Sequence, residues 1–170
     1  EPNLGSERGG TEVIVSGYGF MNKQSIQCRF ESIDGNQNKD VDAIWISSTR
    51  VQCVSPAFLP GTVRVTVSNN GQDFVEETSA FFTYHTIVSV HSVAPTNGTM
   101  RGGTLLRLYG RVPTSVASTT LSCSFGHLYV VPAVYNEFEN VTTCVTPIVS
   151  TAVSLALYLS INGVDIIDTG

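Results

Sequence analysis

Charge is scarce in this chain. Only 14% of its 170 residues are Asp, Glu, Lys or Arg, and its nine cations are scattered singly from Arg8 to Arg111. Phosphate backbones need clustered cations, so a chain of net charge −5 with this spread argues against nucleic acid as a partner. Long apolar runs are lacking too. None reaches the roughly 18 residues of a membrane-crossing helix, so direct insertion into a membrane is not expected. Helical periodicity is almost absent. The three histidines, His85, His91 and His127, stand apart from each other and from Cys, Asp or Glu at metal-ligand spacing. No Gly-x-Ser-x-Gly elbow occurs. These absences predict a protein that is not an enzyme and holds neither metal nor cofactor. The chain opens at Glu1 without a signal peptide, which reads as a mature or excised segment.

What the chain has is a repeat. Gly9-Gly10-Thr11 returns as Gly102-Gly103-Thr104, Cys28 as Cys123, Cys53-Val54-Ser55-Pro56 as Cys144-Val145-Thr146-Pro147, and Asn70-Gly71 as Asn162-Gly163. The offsets are 93, 95, 91 and 92 residues, in one order. Such self-similarity marks two copies of one structural unit, expected at 1–86 and 87–170.

Alternation of period two runs through both copies, as in Val63, Val65, Val67 and in Val153, Leu155, Leu157, Leu159, Ile161. Copy one reads as strands through Val15, over Ile26–Phe30, Val41–Ile46, Val51–Val54, Val63–Val67 and Ala80–Tyr84, with a polar loop at 31–40. Ile87–Val93 opens copy two. The Asn-Gly pairs predict type I′ hairpin turns, whose two central residues both take positive φ. Many short strands with such turns give an all-β sandwich. The edges differ between the copies. Copy one has no counterpart of Ile87–Val93 ahead of Pro2, and copy two none of Ala80–Tyr84, so an opening strand is expected to be missing from the first and a closing strand from the second.

Four cysteines allow three pairings, and the repeat favours Cys28–Cys53 and Cys123–Cys144. The alternative is four reduced core thiols. Asn97-Gly98-Thr99 and Asn140-Val141-Thr142 are N-glycosylation sequons. Paired cysteines, sequons and low charge together favour an oxidising, extracellular compartment. Residues 114–120, rich in Ser and Thr, have a composition that suits O-linked sugar. The acidic loop at Asp34, Asn36, Asn38 and Asp40 alternates oxygen ligands. It lacks the Gly and Glu of a calcium loop at its sixth and twelfth positions, which hold Lys39 and Trp45. Trp45, Phe81, Phe82 and Tyr84 could be read as a sugar-stacking platform, but the period of the closing strand assigns them to the core.

The order strand, Pro, Gly-Gly-Thr, strand, Gly, Cys-x-Phe, Val-x-Cys-x-x-Pro, Val-rich strand and Asn-Gly resembles the IPT/TIG domain. Copy one fits at Gly9, Gly10, Thr11, Gly17, Phe20, Cys28, Phe30, Cys53, Pro56, Asn70 and Gly71. Copy two departs where Gly110 is followed by Arg111-Val112-Pro113 with no Phe, which predicts a reshaped hairpin. The resemblance implies two tandem immunoglobulin-like β-sandwich (IPT/TIG) domains. Its relatives include receptor ectodomains, surface arrays, starch-acting enzymes and Rel-type transcription factors, so fold alone leaves function open. The expectation is a structural or adhesive glycoprotein of the cell surface, bearing N-linked glycans. Its other partners would be copies of itself or neighbouring repeats in a head-to-tail array or fibril built by strand complementation. The alternatives are a plexin-like receptor segment that binds a ligand, or a carbohydrate-binding accessory module.

Overall fold

The structure is a computed structural model that describes residues 1–74, 80–113, 121–163 and 165–168. The chain divides into two compact units, Glu1–Thr86 and Ile87–Gly170. Among the described residues there are strands and no helix, and each unit is built on one seven-stranded sheet.

Unit 1 holds β1 (Leu4–Ser6), β2 (Glu12–Ser16), β3 (Gln27–Ser32), β4 (Asn38–Ser47), β5 (Arg50–Val54), β6 (Gly61–Ser68) and β7 (Phe81–His85), in the spatial order β1-β7-β6-β3-β4-β5-β2. Strand β4 is ten residues long and serves both layers. Its residues 38–42 pair with β3, and 43–47 pair with β5. The sheet thereby folds over on itself into an immunoglobulin-like sandwich. Between the layers, Val13, Val15, Ile26, Cys28, Phe30, Val51, Cys53, Val63, Val65, Phe82 and Tyr84 form the core. These are the inward positions of the period-two pattern. Phe30, Phe82 and Tyr84 meet edge to face, and Phe58 stacks on Tyr84 at 5.4 Å.

Unit 2 holds β8 (Ser89–Ala94), β9 (Leu105–Arg111), β10 (Ser122–Phe125), β11 (Tyr129–Asn136), β12 (Val141–Val145), β13 (Leu157–Ser160) and β14 (Ile166–Asp168), in the order β14-β13-β10-β11-β12-β9-β8. Here β11 is the strand shared by both layers, pairing with β10 over 129–132 and with β12 over 133–136.

The repeat landmarks, distant in sequence, meet in space. Gly10 N donates to Ser55 O and Ser55 N to Thr11 O, both at 2.8 Å, while Thr11 N donates to Ser55 Oγ at 3.1 Å. In unit 2, Gly103 N to Thr146 O, Thr146 N to Thr104 O and Thr104 N to Thr146 Oγ1 repeat the set at 3.0, 2.9 and 3.1 Å. This knot explains why Gly-Gly-Thr and the Ser/Thr-Pro after the second cysteine recur together.

Two expectations need correction. Strand β3 runs to Ser32 and β4 begins at Asn38, so half of the polar stretch 31–40 is strand, zipped by the Glu31–Asn38 and Arg29–Asp40 pairs, and only 33–37 are turn. The Asn-Gly turns are not type I′. Gly71 and Gly163 have φ of 71° and 79°, but neither Asn70 nor Asn162 is left-handed. Asn70 Oδ1 instead accepts from Gln72 N and Asp73 N, and Asn162 Oδ1 from Asp165 N. Such side-chain turns need only one left-handed residue. At the edges, unit 1 begins with β1, which pairs in parallel with β7, while Glu1 brackets Ile14 with both its backbone groups. Unit 2 has a short β14 antiparallel to β13 at Tyr158–Ser160. By contrast β7 pairs with β6 at Gly61–Arg64, whose counterparts are 153–156.

Candidate functional site

The inward-facing cysteines are brought together as two bonded pairs. Cys28 on β3 is joined to Cys53 on β5, and Cys123 on β10 to Cys144 on β12, each with a Cα separation of 6.4 Å. Each bond ties the two layers of its own unit, and all four residues are buried.

The aromatic candidates go inward. Phe82 and Tyr84 are buried, Trp45 is half-buried with Nε1 donating to Phe20 O at 3.1 Å, and only Phe81 faces solvent. Burial pushes the Tyr84 phenol up from its ordinary value. The four do not make an exposed stacking platform.

The acidic loop does not converge on a point. Asp34 bonds to Ser32 and to Asn36, and the Ser32 bond leads in holding its carboxyl below the usual range. Asp40 lies on β4, where Arg29 grips it bidentately at 2.7 and 2.8 Å and lowers its pKa. The Arg29 guanidinium also lies 3.8 Å from the centre of the Phe74 ring. Among the described residues no three of His, Cys, Asp and Glu are grouped to hold a metal. His85 Nδ1 contacts Thr86 O at 2.7 Å, His91 is exposed, and His127 stacks on Tyr158 at 4.3 Å.

The outer faces of the two units differ, which the sequence reading missed. On unit 1, β3, β4 and β6 present Gln27, Arg29, Glu31, Asn38, Asp40, Asp42 and Arg64, with Thr66 buried on the same side. The registers place Ser122, Ser124, Val130, Pro132, Tyr158 and Ser160 at the matching positions of β10, β11 and β13 in unit 2. None is charged. Val130 is 67% exposed and Leu128, beside it, 75%. Aligning the two copies strand by strand would reveal this exchange of Arg29 and Asp40 for Ser124 and Val130.

Unit 2 also has a groove of about 550 Å³, bordered by Asn97–Thr99 and the stretch 153–157 and floored by Leu106, Phe125 and Leu155. In unit 1 the corresponding place holds β7, between β1 and β6.

Both sequon asparagines are exposed. Asn97 lies on the lip of the groove. Asn140 ends the turn from β11 to β12 with φ 52°, its Oδ1 accepting from the Tyr135 hydroxyl at 2.9 Å and its carbonyl from Gly110 N at 3.0 Å. The Ser/Thr-rich stretch 114–120 and the hairpin after Gly110 lie outside the described residues, Arg111 to Pro113 excepted.

Comparison with known proteins gives the fold a context. No curated protein matches the chain. A structure of the full extracellular region of plexin A4, domains 1 to 10, is similar at 15% identity and a TM-score of 0.51 over 95% of this chain. A second structure of that region, with domains 1 to 8, gives 15% identity and a TM-score of 0.48 over 98% of the chain. The chain spans only 14% and 16% of those two structures. Within unit 1, residues 1–84 match the IPT/TIG domain family.

Proposed function

We propose that this chain is a non-catalytic segment of the extracellular region of a cell-surface receptor, and that the outer face of unit 2 contacts a protein ligand. The observation that carries the reading is that face, on which Val130 and Pro132 stand where unit 1 carries Asp40 and Asp42, beside the half-buried Tyr158 and the exposed Leu128. Loss of charge together with aromatic and aliphatic exposure is the composition of an interface centre. Two disulfides within small sandwiches suit an oxidising, extracellular compartment. The fold likeness to the plexin A4 extracellular region agrees with that location. The matched knots and bonded cysteines support reading unit 2 as a second domain of the kind that residues 1–84 match.

The test is binding of the soluble chain to intact cells, read by flow cytometry. Val130→Asp is expected to abolish binding, while Arg64→Asp on the unit 1 face leaves it. Equal binding by both variants and the parent overturns the reading.

The groove of unit 2 supports a second reading, in which an extended strand from another copy adds beside 153–157 and links copies head to tail. Light scattering and electron microscopy of native material separate the two. Long regular fibres favour the array, and discrete particles favour the receptor.

A further inference from the structure

Phe138 is 99% exposed. A lone exposed apolar side chain needs no explanation, but the position of this one does. It sits at the tip of the turn 137–140 between β11 and β12, whose ends are closed by the Asn136–Val141 pair. Asn136 Oδ1 accepts from Phe138 N at 3.0 Å and Glu139 N at 3.3 Å, which fixes the tip. Two residues on, Asn140 begins a sequon in the left-handed conformation that asparagine tolerates well. The Tyr135 hydroxyl bonds its Oδ1 and so orients the amide, with Nδ2 left to carry a substituent. Two residues cannot separate their Cα atoms by more than about 7.6 Å. A sugar on Nδ2 therefore lies within reach of the phenyl ring. The matching turn of unit 1, Ser48-Thr49 between β4 and β5, is shorter and has neither aromatic nor sequon.

We propose that Asn140 carries an N-linked glycan whose first N-acetylhexosamine packs its C–H face on the Phe138 ring and stabilises unit 2. The inference rests on the extracellular reading above. In the modification, Nδ2 bonds to the anomeric carbon of a polyprenyl-diphosphate-linked oligosaccharide. The carbon–oxygen bond to the diphosphate breaks, the amide gives up one proton, and polyprenyl diphosphate leaves. The ring then exchanges water for an apolar sugar face, the kind of contact aromatic side chains favour.

The test begins with glycopeptide mapping of the chain secreted from eukaryotic cells. It continues with thermal unfolding of an Asn97→Gln background, with and without Phe138→Ser. Each is measured with the glycan intact, trimmed to one sugar, and removed by an amidase that converts the asparagine to aspartate. With sugar present, Phe138→Ser is expected to lower the midpoint of unit 2 by about 5 °C, and trimming to one sugar to keep that effect. With the glycan removed, the substitution is expected to change little. Equal effects with and without sugar overturn the inference, as does a bare Asn140. If Asn97 is bare as well, the extracellular reading falls with it.

Discussion

Replacing Gly9 and Gly10 one at a time by alanine separates two costs that the knot imposes. Both glycines are left-handed, with φ of 74° and 87°. An L-residue there is strained by about 1–2 kcal/mol, partly offset by about 0.4–1 kcal/mol from a stiffer unfolded chain. A Cβ on Gly10 meets nothing within 4 Å, so Gly10→Ala is expected to cost about 1 kcal/mol in all. A Cβ on Gly9 would stand 2.5 Å from Ser55 O and 2.6 Å from Ala57 N, which are backbone atoms that cannot rotate aside. The Ser55–Ala57 turn must retreat, which strains the Gly10–Ser55 and Ser55–Thr11 bonds. Overpacking adds about 1–3 kcal/mol, so Gly9→Ala should cost about 3–4 kcal/mol. For a unit of this size the shifts in unfolding midpoint are about 5 °C for Gly10→Ala and about 20 °C for Gly9→Ala. Trp45 is the single tryptophan and lies in unit 1, so its fluorescence follows that unit alone. Midpoints within about 3 °C of each other, or a larger loss at Gly10, would refute the reasoning. Gly102→Ala and Gly103→Ala should repeat the contrast in unit 2, where Gly102 faces Thr146 O and Pro147 C at 2.8 Å and Gly103 nothing.

Two further outcomes are expected. Cys28→Ala with Cys53→Ala opens a loop with a sequence separation of 25 and should destabilise unit 1 by about 3 kcal/mol in urea unfolding, with the Cys123–Cys144 bond intact by peptide mapping. Asp40→Asn should cost about 0.5 kcal/mol at pH 7, since both partners are about a third exposed or less at 28% and 32%. Because Arg29 holds the Asp40 carboxyl low in the folded state, this stability is present above the unfolded value near 3.9 and is lost as pH falls through the folded one. Parent and variant should converge as pH falls below the folded value, and a difference that does not shrink as pH is lowered through the acid range in urea titrations would refute the assignment.

The sandwich was legible because its inward positions are apolar at period two and its knot uses residue types with few substitutes. Ser55 recurs as Thr146 because a hydroxyl there must accept from a backbone N–H, that of Thr11 or Thr104. The extension of β4 to Asn38 was hidden by the polarity of Asn38, Lys39 and Asp40, since outward strand positions and loops share a composition. The turn type was missed because Asn-Gly suits two geometries, and the side chain of Asn70 chose the one that bonds Gln72 and Asp73. The uncharged face of unit 2 emerges only from register, which sets Ser124 beside Val130 and Tyr158 across residues far apart in sequence. The role proposed for Phe138 had a local trace, an aromatic inside the polar run Asn136-Glu137-Phe138-Glu139-Asn140.

The disulfides also set how far each unit can be drawn out under load. Pulled by its ends, unit 1 can unravel outside the span from Cys28 to Cys53 but cannot extend within it. About 85 Å of contour, 25 residues at roughly 3.4 Å each, stays locked until the bond is reduced. The separation of 21 residues in unit 2 withholds about 70 Å. Each unit is therefore a spring with a built-in stop, whose reach is set by redox state as well as by force.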